Sequence, residues 1–560
     1  MNHDLISTIR QAVIGDKHPI TTSFGRKPLV YADYTASGRA LSFIEDYIRQ
    51  QVMPYYANTH TETSYTGAQS TRLREQAREI IRAAVNGNDD DKVIFCGPGA
   101  TAAINKLIDI LNIRLPADLS QRYQLMDNIA ADDRPVVFIG PYEHHSNELP
   151  WRESIADVVA IPLDNNGQID TATLQQKLVE YADRKVKIGS FSAASNVTGI
   201  KSDVDAIATL LHRHQAISLW DYAAAAPYVG IDMNPDKHSY KDAVFISPHK
   251  FIGGPGTPGV LVVKKQLLNN SVPALPGGGT VTYVTPEDHR YSDNFERREE
   301  GGTPAIIESI RAGLAFKLQQ DVGTDTIEAL ETDFIQRAFK QWQQHDNIDI
   351  LGGTTAERLS IVSLQIKHRD EDLHYGFVVA LLNDLFGIQA RGGCSCAGPY
   401  GHSLLNMPMS VSKALEAELV NGHMVLRPGW VRLNFNYFID EATFQYLVQA
   451  VELIAQHGWR LLPYYNFDQA SGTWLYQNKT MTMASCLQQL DFSQRHTDDE
   501  LSNETFCLQQ CLDTAKQLLT TPQPGAQQYR LELPASAEAL RWFALPQQVA
   551  AAFNSNELAS

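Results

Sequence analysis

The chain has 560 residues and a formal charge of -17 at neutral pH, and 43% of its residues are hydrophobic. That length accommodates two or three domains with large cores; the acidic balance excludes a basic stripe for nucleic acid and argues against an anionic membrane surface, leaving small molecules as the expected ligands. Cys96, Cys394, Cys396, Cys486, Cys507 and Cys511 are too dispersed for a disulfide framework. No apolar run reaches the roughly 18 residues of a membrane span, and Met1-Asn2-His3-Asp4 does not open a basic-then-apolar leader, so a cytoplasmic protein with no membrane partner is expected.

In chain order, an amphipathic segment, Leu5 to Val13, precedes a loop and the run Leu29-Val30-Tyr31-Ala32-Asp33. Helical spacing covers Ala40 to Val52 and Ser70 to Val85, with a polar loop from Ala57 to Thr63 between them. The period then changes. Short apolar runs begin at Val93, Val136, Val158, Ile188, Ile217, Ala243 and Gly259, mostly separated by helix-length connections. They predict an α/β fold with a mainly parallel, seven-stranded sheet covered by helices on both faces, in a large domain spanning 31–330. Residues 1–30 are expected to pack with a smaller α/β domain, 331–465. There Leu359 to Ile366 and Trp430 to Phe435 alternate like half-exposed strands, and Gly376 to Leu385 and Glu441 to His457 read as helices. The remainder, 466–560, is a C-terminal extension of unassigned role with one predicted helix, Glu500 to Leu519, a break at Thr521-Pro522-Gln523-Pro524-Gly525 and an apolar end around Trp542-Phe543-Ala544-Leu545.

The stretch Ser247-Pro248-His249-Lys250-Phe251-Ile252-Gly253-Gly254 lies between two of the apolar runs. Burying an unpaired ammonium costs several kcal/mol, and the usual escape, a depressed pKa, turns lysine into a nucleophilic amine able to condense with an aldehyde. The aldehyde cofactor that uses a lysine in this way is pyridoxal 5'-phosphate. The bland alternative is a surface lysine in a Gly-rich turn.

That cofactor also requires an acid facing its ring nitrogen and a cradle for its phosphate. Asp221 closes the run Ile217-Ser218-Leu219-Trp220 at the carboxyl edge of the sheet, where such an acid belongs, although an acid after a strand is often a helix cap. Gly97-Pro98-Gly99-Ala100-Thr101 joins a strand to a helix; glycines admit a phosphate, the helix N-terminus supplies N–H donors, and Thr101 adds a hydroxyl. Ser247 and His249 can complete the cup. His144, in Glu143-His144-His145-Ser146-Asn147, can stack on an aromatic ring and move protons, or belong to an ordinary polar loop. Asn196 ends another strand and can bond the cofactor's phenolic oxygen.

In the second block, Arg391-Gly392-Gly393-Cys394-Ser395-Cys396-Ala397 puts an arginine and two cysteines on a Gly-rich loop after a strand from Gly387 to Ala390, and Arg432 offers a second guanidinium for a substrate carboxylate. An exposed cysteine near cations would be a nucleophile; as a metal half-site the Cys-x-Cys pair lacks a partner pair, and no metal is expected.

From about residue 28 to 460 the chain resembles the class V aminotransferase superfamily, and more narrowly its cysteine desulfurase and selenocysteine lyase branch. The residues that carry the resemblance are Glu143 to Trp151, Ser195-Asn196-Val197-Thr198-Gly199, Trp220-Asp221, Ser247-Pro248-His249-Lys250, Gly302-Thr303-Pro304 and Arg391 to Ala397. The resemblance implies a pyridoxal-phosphate-dependent transferase of fold type I acting as a homodimer. By position, Lys250 looks like the Schiff-base lysine, Asp221 the partner of the pyridine nitrogen and His144 the stacking histidine. Thr101, Ser247 and His249 look like phosphate ligands beside Gly99 and Ala100, and Thr303 reaches the neighbouring subunit's cofactor. Arg432, with Arg391 nearby, resembles the substrate-carboxylate arginine, and Cys396 falls where the family keeps its sulfur-accepting cysteine.

The chain departs from the pattern at Ala224, where desulfurases usually have a glutamine, at Ala100, where a hydroxyl is common, and at Cys394-Ser395, where one branch has paired histidines. Three readings follow. The first is a cysteine desulfurase or selenocysteine lyase that makes alanine, forms a persulfide on Cys396 and hands sulfur to an acceptor protein. The second is an aminotransferase, epimerase or other lyase on a different amino acid. The third is a cofactor-binding scaffold whose last hundred residues recruit a partner.

Overall fold

The seven apolar runs form one sheet. In the computed structural model, which describes residues 3–481, 486–493, 504–521 and 526–554, its strands lie in the order Asp91–Phe95, Val260–Lys264, Ala243–Ile246, Ile217–Asp221, Lys187–Ser192, Val136–Ile139 and Asp157–Ala160. All are parallel except Val260–Lys264, which runs antiparallel to both its neighbours. Val136–Ile139, Lys187–Ser192, Ala243–Ile246 and Val260–Lys264 are buried along their whole length, as expected of strands covered on both faces, where no position is left for a polar alternation. On one face the helix Gly99–Ile110 packs Ile104, Leu107 and Ile108 against Ile94, Val137, Phe245 and Leu261. Elsewhere in this unit the helices Tyr65–Ala84 and Ile306–Val322 press together at Gly313, where a Cβ would stand 2.6 Å from Ala77.

This unit comprises Met1–Ile14, Thr35–Thr332 and Thr355–Leu359; a second comprises Gly15–Tyr34, Asp333–Thr354 and Ser360–Ser560. The segment 1–30 is therefore divided: the helix His3–Ala12 clusters with the larger unit, and Gly15 onward with the smaller. The helix expected from Ala40 to Val52 is a single α-helical stretch only over Ser42–Tyr47, after which the coil changes pitch through Ile48–Val52 and Met53–Tyr55. Pro54 has no N–H to continue the ladder, and the chain leaves the helix there. The helix expected from Ser70 begins earlier, at Tyr65, where Ser64 Oγ accepts the Gly67 N–H at 3.3 Å and caps it.

The smaller unit holds a sheet ordered Ile348–Ile350, Ile361–His368, Trp430–Asn434 and Arg391–Gly393, with Glu371–Leu373 added beside Ile361–His368. The helices Tyr375–Phe386 and Glu441–His457 supply Phe377, Leu381, Leu385, Phe444, Leu447 and Val451 to its core. Arg391 to Gly393 is an edge strand rather than the predicted loop: Arg391 pairs in register with Arg432. The stretch from Gly398 to Arg427 contains the helices Gly398–Leu404 and Met409–Val420.

The C-terminal segment belongs to the same core. The hairpin Tyr465–Asp468 and Thr473–Tyr476 and the helix Leu508–Thr520 contribute Tyr465, Phe467, Trp474, Leu512 and Leu519, and Phe543 and Leu545 follow. The predicted helix start from Glu500 to Asn503 and the Pro522 to Gly525 part of the predicted break lie outside the described residues.

Candidate active site

Parallel strands of an open sheet deliver their carboxyl ends to one edge, where ligands bind. Five of the predicted segments lie at or just past such ends: Gly97 to Thr101, Glu143 to Ser146, Ser195 to Gly199, Asp221 and Ser247 to Lys250. The fold brings several of them into contact. Ala100 N–H donates to Ser247 Oγ at 2.9 Å, at the N-terminus of the helix Gly99–Ile110. Gly99 has φ +56°, and a Cβ there would lie 2.9 Å from Ser247 Oγ and 3.0 Å from His249 Cε1. Only glycine combines that backbone with that proximity. The result is a small cradle of backbone N–H groups, a hydroxyl and an imidazole at a helix N-terminus, a donor set suited to a phosphate. Burial and the neighbouring Lys250 charge push the His249 pKa down to about 4, so at neutral pH the ring is uncharged.

Lys250 lies in a 3-10 turn, Pro248–Lys250, and is half-buried rather than fully enclosed. The turn is fixed by close backbone passage: Gly38 N–H donates to His249 O at 2.8 Å, and a Cβ on Gly38 would stand 1.9 Å from Phe251 O. Asp221 is 4% exposed. Burial raises its pKa, and the charge of Lys250 opposes that rise. Ala223 N–H donates to Oδ1 at 2.7 Å, and no side chain among the described residues hydrogen-bonds the other oxygen. A buried carboxylate with an open oxygen suits a protonated ring nitrogen, so the cradle and the acid together fit pyridoxal phosphate.

His144 is held by its own loop. Ser146 N–H donates to His144 Nδ1 at 3.1 Å, which makes Nδ1 the acceptor, and Ser146 Oγ lies 3.0 Å from Nδ1 and 2.6 Å from Thr101 Oγ1. Thr101 is thus tied to the histidine loop rather than to Ser247. Asn196, 7% exposed, sits in a turn that Ser195 Oγ braces by accepting from Val197 and Thr198 N–H. Thr303 is exposed; its hydroxyl accepts from Asn58 at 3.4 Å, and among the described residues no hydrogen bond joins it to Ser247, His249 or Lys250. Ala224, 7% exposed, offers no side-chain donor beside Asp221.

In the smaller unit, Arg432 is 4% exposed and its Nη2 lies 3.0 Å from Asp33 Oδ1; Arg391 Nε lies 3.0 Å from Asp33 Oδ2. Two guanidiniums converge on one carboxylate. Cys396 is exposed and Cys394 half-buried.

Sequence reasoning missed four supporting acids and hydroxyls. Asp33 ended the run Leu29 to Ala32, the same signal that singled out Asp221. Glu143, beside His144, is buried and accepts from Gly140 and Ser192 N–H, Ser192 Oγ at 2.6 Å and Asn147 Nδ2 at 2.7 Å. Burial pushes its pKa up to about 7 against those hydrogen bonds. Ser146 links Thr101 to His144. Glu300, preceding Gly301-Gly302-Thr303, bonds Arg74, Arg78 and the Phe95 N–H; nothing in its local sequence distinguished it.

Residues 30–417 match the family model described as aminotransferase class-V. A protein named "Probable cysteine desulfurase" from Halalkalibacterium halodurans is 32% identical over 380 residues, covering 66% of this chain and 85% of that protein. One of the same name from Staphylococcus aureus is 29% identical over 398 residues, covering 69% and 87%. Among solved structures, the apo cysteine desulfurase of Thermococcus onnurineus aligns with TM-score 0.62 at 20% identity, over 76% of this chain and 95% of that one. The cysteine desulfurase CsdA of Escherichia coli aligns with TM-score 0.61 at 21% identity, over 80% and 97%. These two structures share the fold, type I of the pyridoxal-phosphate enzymes. With the family model spanning more than half of its length, the chain belongs to the class-V aminotransferase family.

Proposed function

We propose that this protein is a pyridoxal-phosphate-dependent cysteine desulfurase, a cytoplasmic homodimer that converts cysteine to alanine, with selenocysteine as the related substrate. The observation that carries the reading is the meeting, at one sheet edge, of the Gly99, Ser247 and His249 cradle with a buried Asp221 coupled to Lys250. The names of the relatives supply the sulfur chemistry.

In this reading Lys250 Nζ is the covalent anchor for the aldehyde, Gly99, Ala100, Thr101, Ser247 and His249 hold the phosphate, Asn196 bonds the phenolic oxygen, and Asp221 holds the proton on the ring nitrogen. Bound in this way, pyridoxal phosphate supplies an electron sink for bond breaking at the substrate Cα. Arg432, with Arg391, binds the substrate carboxylate in bidentate fashion. Lys250 Nζ takes the proton from Cα, and His144, fixed with Nδ1 as acceptor, presents its ring to the cofactor face. Cys396 Sγ, as thiolate, bonds the substrate sulfur as the Cβ–S bond breaks. Cysteine and one thiol become alanine and one persulfide, and an acceptor protein then takes the outer sulfur. Thr303 is assigned to the cofactor of the second subunit.

The test uses purified protein. Borohydride should trap a pyridoxyl adduct on Lys250, and Cys396→Ala should lose sulfide release while keeping the yellow absorbance. Unchanged sulfide release from Cys396→Ala would refute the role of that thiol, and a colourless protein with no trapped adduct would refute the reading. Ala224 is the one observation that favours another amino acid, because it leaves the Asp221 side of the site without the usual amide. Alanine or keto acid formed from some other amino acid, and not from cysteine, would establish that second reading.

A further inference from the structure

The loop Cys394-Ser395-Cys396-Ala397 carries two thiols, and the proposed reaction uses one. Ala397 N–H donates to Cys394 O at 3.2 Å, closing a four-residue turn whose central residues, Ser395 and Cys396, both have left-handed backbones, φ +54° and +55°. Neither is glycine or asparagine, so both hold a disfavoured backbone that the surroundings must impose. The surroundings do so. Trp430, fully buried, donates its Nε1–H to Ser395 Oγ at 3.2 Å. A Cβ on Gly392 would lie 2.6 Å from Tyr375 Cδ2, and one on Gly429 2.7 Å from Gly393, so the strand below the turn is packed without slack.

The consequence is the placement of Cys394 and Cys396 at the first and third positions of a chain reversal. Residues two apart cannot separate by more than about 7.5 Å between Cα atoms, and a turn shortens that into the range a disulfide spans. Both thiols are unpaired, Cys396 exposed and Cys394 half-buried beside it in sequence.

We propose that Cys394 is a resolving thiol that discharges a persulfide on Cys396 as inorganic sulfide. This rests on the desulfurase reading for the origin of the persulfide. Cys394 loses its proton to solvent and its sulfur attacks Cys396 Sγ. The Cys394–Cys396 bond forms, the bond from Cys396 Sγ to the outer sulfur breaks, and HS⁻ leaves with the electron pair. The outer sulfur is reduced to sulfide and two thiols are oxidised to a disulfide, so no outside oxidant enters. Closure over two residues is strained, and strained disulfides are the readily reduced ones. A dithiol reductant returns both thiols, one dithiol per turnover.

The experiment compares full-length protein loaded with pyridoxal phosphate, in a background of Cys486→Ser, Cys507→Ser and Cys511→Ser, with the same protein carrying Cys394→Ser or Cys396→Ser. One arm receives cysteine without reductant. A second receives inorganic polysulfide, which installs the outer sulfur directly, followed by its removal. Alanine, sulfide and the mass of the tryptic peptide from Gly392 to Lys413 are measured. The unsubstituted loop should release one sulfide per alanine, stop after one turnover and leave the peptide lighter by two hydrogens. Cys394→Ser should form the same alanine, release almost no sulfide and leave the peptide heavier by one sulfur. If the unsubstituted loop retains the extra sulfur as Cys394→Ser does, the resolving role is overturned. If no protein makes alanine, the desulfurase reading falls, and the polysulfide arm still decides the resolving role by whether the disulfide closes.

Discussion

Glu300 shows how much one carboxylate can organise. Its Oε2 lies 2.5 Å from Arg74 Nη2, its Oε1 2.9 Å from Arg78 Nη1, and Phe95 N–H donates to it at 2.7 Å. It therefore ties the chain just before Thr303 to the end of the strand that leads into the Gly97 to Thr101 cradle. Burial alone would raise its pKa; the charges and hydrogen bonds of Arg78 and Arg74 outweigh that and hold it at about 2. A carboxyl held below its unfolded value near 4.5 contributes stability that is complete above that value and disappears as pH falls toward 2, here of order 3 kcal/mol. With its carboxylate side chain only 6% exposed, Glu300→Gln should cost about 3–5 kcal/mol at pH 7, because two buried guanidiniums lose their counter-charge. In urea titrations the gap between the variant and the parent should close as pH drops from 4.5 to 2. A gap that stays constant over that interval would show that the ion cluster is not what the variant disturbs. Asp221 and the segment Ser247 to Lys250 stand out in the sequence because one closes an apolar run and the other follows one. Glu300 does not, because its partners lie more than 200 residues away in the chain.

At the scale of elements, the period-two alternation of Leu359 to Ile366 and Trp430 to Phe435 predicts two half-exposed strands; the strands form as Ile361–His368 and Trp430–Asn434, but much of their polar side is buried. Ser363 and Arg432 pair in register, and both are buried. Asp33, from a segment some 400 residues earlier, supplies the counter-charge, so the polar face is an ion-pair layer rather than a wet surface. The N-terminus of the helix Tyr375–Phe386 is similarly held by a distant part of the chain. His374 Nδ1 accepts the Trp474 indole N–H at 3.0 Å and the Gly376 N–H at 3.0 Å, and its Nε2 is 3.1 Å from Val425 O. Three elements converge on one neutral imidazole, whose pKa burial pushes down to about 3 against the Val425 hydrogen bond. Because the folded ring resists protonation, the unfolded chain binds the extra proton below about 6.5, and this contribution to stability fades as pH falls from 6.5 toward 3. His374→Phe keeps the aromatic volume and leaves the Trp474 donor and Val425 acceptor unmatched, at a cost of about 1–3 kcal/mol. Thermal unfolding should show the variant less stable at pH 7 and nearly level with the parent at pH 4. Equal melting temperatures at pH 7 would mean that water or another group satisfies those atoms.

Across the whole molecule, the last hundred residues read only as an extension in the sequence, since they carry no motif and their one predicted helix and apolar end do not say what they pack against. Their role in packing depends on contacts that the local sequence does not announce. Tyr465, Phe467, Trp474, Leu512, Leu519, Phe543 and Leu545 are all buried in the core of the smaller unit. At roughly 1.5–3 kcal/mol per large apolar side chain, their removal forfeits on the order of 10–20 kcal/mol, an upper bound that matches or exceeds the 5–15 kcal/mol by which a typical domain is stable. A chain ending at Tyr464 should therefore lose the folded smaller unit rather than a detachable appendage. Expressed alone, it should aggregate or bind a hydrophobic dye, with the near-ultraviolet signal of its remaining tryptophans flattened. The scaffold reading expects the opposite: a truncated chain that stays folded, keeps its unfolding midpoint and loses only a binding partner. The two outcomes are separable by circular dichroism and urea unfolding before any partner is sought. A soluble truncated chain with native near-ultraviolet signal would move the C-terminal segment from the core to the periphery of this protein's function.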